Sequence, residues 1–280
     1  MKGFNKILAA TGLFALSGAV ALPGLVAAQD YQTEVMGGYA TIDQGAIDSS
    51  LFSVDGTYYL ERVSTQRVPL SEAAFLSQVS SLSVGYARTE TDTTLGRDLE
   101  GDLFGFSGRI VMPEGVIVGG GLTTGEVDVT TTREVDLDAF SFLLGAYLNE
   151  NSSVEGVFSR SSIGDFDTDT FGARFKTVQP HQGESSYGLA AGLYRSEDDS
   201  DEDAVTIDLD ADYFPTQMVA LGVGLEIVSA DSAFDEGEAF EFSIEAFIDP
   251  MIALGASFET FSPEAGNDVD TFAFWGKIRM

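Results

Sequence analysis

From Tyr31 to Met280 the chain repeats one pattern, in which apolar side chains alternate with polar or small ones over segments of roughly ten residues. Short turns rich in Pro, Gly, Asn and Asp separate the segments. The last segment is representative: Phe272, Phe274, Gly276, Ile278 and Met280 fall on one face, and Thr271, Ala273, Trp275, Lys277 and Arg279 on the other. Strand side chains point alternately to opposite faces, so a period of two describes a sheet whose faces meet different surroundings. No stretch after the leader has the spacing of a convincing amphipathic helix.

Prolines punctuate the series. Pro113, Pro180, Pro215 and Pro250 each sit in a tight connection, a longer link holds Pro69, and Asn149-Glu150-Asn151 fills the remaining gap. Proline cannot donate a ladder hydrogen bond, so it belongs at turns and strand ends. From Pro113 onward the marks are 31 to 36 residues apart, which fits two strands, one tight turn and one longer loop. Counting apolar faces such as Phe52-Val54-Gly56-Tyr58-Leu60 and Phe240-Phe242-Ile244-Ala246-Ile248 gives fourteen strands, within a bracket of twelve to sixteen. The glycine-rich run Val116–Thr124 counts as one of them, with its facing left open.

The N-terminus decides what kind of sheet this is. Residues 1–28 read as a secretory signal peptide: Lys2 and Lys6 form the positive region, Ile7–Val20 the apolar core, and Val26-Ala27-Ala28 the small-residue cleavage site. The remaining residues, 29–280, suit one all-β unit. They contain no run of about 18 apolar residues able to form a membrane helix. Greasy-and-polar strands behind a secretion signal then predict an all-β fold, a closed antiparallel transmembrane β-barrel in an up-and-down meander. The second set of connections is acidic, as in Glu197–Asp203 and Asp231–Glu238. These are expected to be longer loops on the outer side, with the proline turns facing the periplasm. Phe104, Phe158, Phe240, Phe258 and Phe272 then form an outer aromatic girdle, and Tyr58, Tyr187 and Tyr213 a periplasmic one.

Charge and chemistry narrow the function. Without Lys2 and Lys6 of the leader, 12 of the 14 basic residues remain against 45 acids, a formal charge of −33. Such a surface repels phosphates, which argues against nucleic acid as a partner. There is no Cys, hence no disulfide, thiol nucleophile or thiolate metal site. The single histidine, His181, lies beside Pro180 in a predicted turn, a poor place for a hydrolytic triad. Gly119-Gly120-Gly121 lacks the spacing of a phosphate-binding loop and reads as a strand in close contact with a neighbour. Asp198–Asp203 offers oxygen ligands but not the spaced Asp and Gly of a calcium loop. No enzyme activity, metal or cofactor is expected.

The terminal strand Thr271–Met280 resembles the C-terminal strand by which Gram-negative outer-membrane porins are recognised for assembly, although this one ends in Met rather than Phe or Trp. Pro69-Leu70-Ser71-Glu72-Ala73-Ala74-Phe75-Leu76, following Tyr58-Tyr59-Leu60-Glu61, is similar to a segment of proteobacterial "putative porin" sequences. The resemblance implies a location in the cell outer membrane. It also implies contact with membrane lipid and lipopolysaccharide, and with the barrel-assembly machinery through the last strand.

If the apolar faces touch lipid, the opposite faces line the lumen. The pore-lining set is then Glu34, Asp55, Glu155, Asp208, Asp210, Asp212, Glu226, Glu241, Glu245 and Glu259, with the bases Arg109, Arg174, Lys176, Lys277 and Arg279. Carboxylate rings favour cations, so the expected function is passive diffusion of small hydrophilic solutes with a lean toward cations. The same acids could instead pair with Arg109, Arg174 and Lys176 as a polar filling. No connection looks long enough to fold inward as a constriction, so the walls are expected to set the bore. Two other readings compete: a non-conducting barrel that anchors the envelope or presents acidic loops, and a secreted β-sandwich binder.

Overall fold

The computed structural model describes residues 30–45, 47–93, 99–129, 134–181, 185–199, 202–230 and 236–280. The leader read at residues 1–28 lies outside them, as do residues 200–201 and 231–235 of the acidic connections. Fourteen strands are present: β1 (Tyr31–Asp43), β2 (Ile47–Val63), β3 (Ser81–Thr93), β4 (Leu99–Val111), β5 (Val116–Val129), β6 (Glu134–Asn149) and β7 (Ser152–Ile163), then β8 (Phe166–Pro180), β9 (Ser186–Asp198), β10 (Asp203–Thr216), β11 (Val219–Ala230), β12 (Gly237–Asp249), β13 (Ile252–Pro263) and β14 (Val269–Arg279). Each pairs antiparallel with its neighbours in sequence, and β1 closes on β14 with Tyr39 opposite Phe274. Closure leaves no free edge and no second stacked sheet, which rules out the β-sandwich.

The apolar faces point outward. Phe52, Val84, Phe106, Leu144, Phe171, Leu193, Phe242, Leu254 and Phe274 are all exposed on the outside of the ring. A belt this broad far exceeds the apolar patches that soluble monomers carry and is matched by hydrocarbon. The register also settles β5. Leu122 stands between the outward Phe106 and Phe140, while Ile117 points inward and is fully buried. Its glycines permit close approach: a Cβ on Gly120 would lie 2.8 Å from the Ser141 carbonyl oxygen. In the outer half of the belt, Phe140, Phe158 and Phe171 stack in series and Phe258 meets Phe272. Nearer the opposite end, Tyr187 and Tyr213 face each other across β9 and β10. Because Leu144 sits mid-strand on the lipid face, Leu144→Arg should cost about 2–4 kcal/mol in unfolding from vesicles. Ser141→Arg, on the inner face of the same strand, should cost far less.

The connections depart from expectation. At the outer end the strands stop within two to six residues of each other, so long external loops are absent. Glu197 and Asp203 belong to the strands instead, paired in the β9–β10 ladder, and Arg195 bonds the Asp203 carboxylate at 2.7 Å. The longest connection, Ser64–Ser80, lies at the other end, where β1 begins and β14 stops. That is the periplasmic end in the orientation assigned to this barrel.

Apolar residues also occur inside. Ala40, Leu51, Ala87, Leu103, Val127 and Leu137 form a buried cluster, with Ile163 and Ala273 packed against it. They lie on the inner faces of β14 and β1–β7, towards the outer end. At that level the inner wall is apolar.

Candidate functional site

The lumen is the candidate site, and among the described residues its bases Arg109, Arg174, Lys176, Lys277 and Arg279 are all engaged. Near the periplasmic end Arg279 bonds Glu34 at 2.7 Å, with its guanidinium over the rings of Tyr31 and Phe247. Glu245 accepts from Lys277 at 2.9 Å and from the Trp275 indole at 3.0 Å. Arg109 meets Glu155 at 2.6 Å. Higher up, Arg174 reaches across β9 to Asp210 at 3.3 Å. The polar-filling reading therefore describes Glu34, Glu155 and Glu245 well.

A different arrangement holds on β10–β13. Asp208 stands opposite Glu226, Gly224 stands between Asp210 and Glu241, and Glu241 stands opposite Glu259. Alternation along each strand and register across strands thus gather five carboxylates, with Asp212 next in line, into one arc of the wall. Glycine makes room for them. A Cβ on Gly222 would come within 3.0 Å of the Asp212 carboxylate, and one on Gly224 within 3.4 Å of that of Asp210. Asp55 is not part of this arc. It is buried on β2, with its carboxylate against Gly85, and β2 lies three strands from β13. His181 sits exposed at the periplasmic end, its ring edge-on to Tyr187.

One element was not foreseen. The Ser64–Ser80 connection does fold inward. After Pro69 it makes a 3₁₀ turn (Leu70–Glu72) and one turn of helix, α1 (Ala73–Ser77), which ends at Gln78 in the left-handed conformation. From its roots on β2 and β3 it crosses the mouth to the opposite wall. The Leu70 amide donates to the Gln217 carbonyl in the β10–β11 turn at 2.8 Å, and the Leu70 side chain packs with Phe247, Ala253 and Met218. Glu72 binds Lys176 of β8 at 2.7 Å. Phe75 stacks near Tyr147 of β6, whose hydroxyl donates to the Phe75 carbonyl at 3.0 Å. Ala73 and Val79 bury against Tyr31, Tyr59 and Val63. The periplasmic bore is set by this strap as well as by the walls, which corrects the expectation that the walls alone would do so. The space around the strap includes a cavity of about 280 Å³ against β4, β6, β7 and β8, and another of about 160 Å³ lies beside the acidic arc.

Residues 1–132 match a family described as "Putative general bacterial porin". The outer membrane protein Omp33 of Acinetobacter baumannii is similar in structure at 24% identity, covering 91% of this chain and 100% of its own, with a TM-score of 0.65. The CymD monoaromatic hydrocarbon channel matches at 8% identity over 90% of this chain and 89% of its own, with a TM-score of 0.56. A bacterial polysaccharide outer membrane secretin matches at 9% identity over 90% and 99%, with a TM-score of 0.50. No curated protein matches the sequence. The chain thus has the closed-barrel fold of Gram-negative outer-membrane porins, and its first 132 residues are similar to one of their families.

Proposed function

We propose that this barrel is a passive outer-membrane channel for small hydrophilic solutes, with a lean toward cations. The observation that carries the reading is the imbalance of the lumen. Among the described residues its five bases are matched by Glu34, Glu72, Glu155, Asp210 and Glu245, and Asp208, Asp212, Glu241 and Glu259 add further acidic groups along the wall. A narrow passage with low-dielectric walls focuses such a field. In planar bilayers under a salt gradient, the reversal potential should carry the sign of cation preference. The triple variant Asp208→Asn, Glu241→Gln, Glu259→Gln should bring it close to zero. A wild-type reversal potential of the anion sign would reject the lean.

The strap across the mouth supports a second reading, a barrel that conducts only when this segment moves aside. Rare current steps in the wild type, made frequent by Glu72→Gln, would favour it. The apolar belt supports contact with membrane lipid and lipopolysaccharide. The terminal strand β14, with Phe272 and Phe274 outward, supports handling by the barrel-assembly machinery, and residues 1–28 are proposed as the secretion signal.

A further inference from the structure

The cavity beside the acidic arc holds groups of both signs: Arg174, Lys176, Asp210, Asp212 and Glu241, with Ser243 among them. Lys176 is occupied by Glu72 of the strap, which leaves Arg174 as the base that faces the space. Its bond to Asp210 is the loosest of the lumen pairs. It is 3.3 Å long, with the side chains 47% and 42% exposed, whereas Arg109–Glu155 is 2.6 Å and Arg279–Glu34 is 2.7 Å, both far more enclosed. An open pair of this kind is weak, so a solute can exchange into it. The floor is prepared for a cation. Asp210 Oδ1 lies 3.4 Å, and Glu241 Oε2 3.7 Å, from the point where a Cβ on Gly224 would sit, so two carboxylates converge over a residue with no side chain.

Resting on the channel reading, we infer that the passage favours small zwitterions, molecules that carry an ammonium and a carboxylate a few bonds apart, as α-amino acids do. The solute carboxylate replaces Asp210 on the Arg174 guanidinium, whose planar fork suits two parallel hydrogen bonds. The ammonium settles between Asp210 and Glu241. A simple cation leaves Arg174 against it, a simple anion meets the arc, and an uncharged polyol gains neither contact.

The test is swelling of proteoliposomes, corrected for protein-free vesicles, in L-serine and in erythritol, an uncharged polyol of comparable size. Serine should enter several-fold faster. In Arg174→Gln and in Asp210→Asn, each shown to be folded by heat-modifiable gel migration, the serine-to-erythritol ratio should fall toward one. Equal rates in the wild type, with erythritol entering freely, would overturn the inference and leave the channel intact. So would a ratio that survives both substitutions. If neither solute enters, the channel reading fails and the inference fails with it.

Discussion

Replacing Ser64–Ser80 by a short glycine-rich turn will raise single-channel conductance several-fold. In the ring, β2 and β10 stand nearly opposite each other, and the strap runs from one to the turn after the other. It therefore spans the mouth instead of lining it. Its anchors differ in kind: a backbone hydrogen bond at Leu70, an ion pair at Glu72, a ring contact at Phe75 and a side-chain bond from Gln78 to the Asn149 carbonyl. Loss of the strap exposes Tyr31, Tyr59 and Phe247, and burial of a side chain such as Leu70 stabilises by about 1.5–3 kcal/mol. The fourteen-strand ladder does not depend on those contacts, so the barrel should still assemble and migrate as a folded species. A folded deletion variant with unchanged conductance would show that the narrowest point lies elsewhere, with the apolar cluster around Leu51, Leu103 and Leu137 the next place to look.

The strap escaped the sequence for a physical reason. Helical periodicity needs several turns to register, and α1 has five residues held by tertiary contacts to β1, β2, β6 and β8 rather than by an amphipathic stripe of its own. Loop length also misled: seventeen residues look modest beside a barrel, yet they reach its far wall. Strand number, by contrast, was legible, because lipid outside and water inside impose opposite preferences on alternate residues of every strand. The acidic arc was only half legible. Alternation placed Asp208, Asp210, Asp212, Glu226, Glu241 and Glu259 on inner faces, but which of them meet depends on register, which alternation leaves free in steps of two. The apolar inner cluster was illegible for the converse reason. Where Leu103 and Phe104 are adjacent, both faces are apolar and period two gives no sign of it.

Arg279→Ala should be the most destabilising single change in the barrel wall, by about 3–5 kcal/mol, the usual cost of removing one member of a buried ion pair. The Arg279 side chain is 2% exposed and that of Glu34 15%, and the two are register partners across the seam where β14 meets β1. Without the guanidinium, Glu34 is left as an enclosed carboxylate and the rings of Tyr31 and Phe247 lose the cation between them, at 4.5 and 4.6 Å from their centroids. Arg279→Lys should recover only part of this, since a compact ammonium cannot lie flat between two rings. Replacing both partners, as in Glu34→Gln with Arg279→Met, should recover more, because no charge is then left unpaired. Urea titration in lipid vesicles, read by heat-modifiable migration, measures all four proteins on one scale. If the double variant proves as unstable as Arg279→Ala, then the stacking between Tyr31 and Phe247 holds the seam, and the ion pair serves only to place Arg279 there.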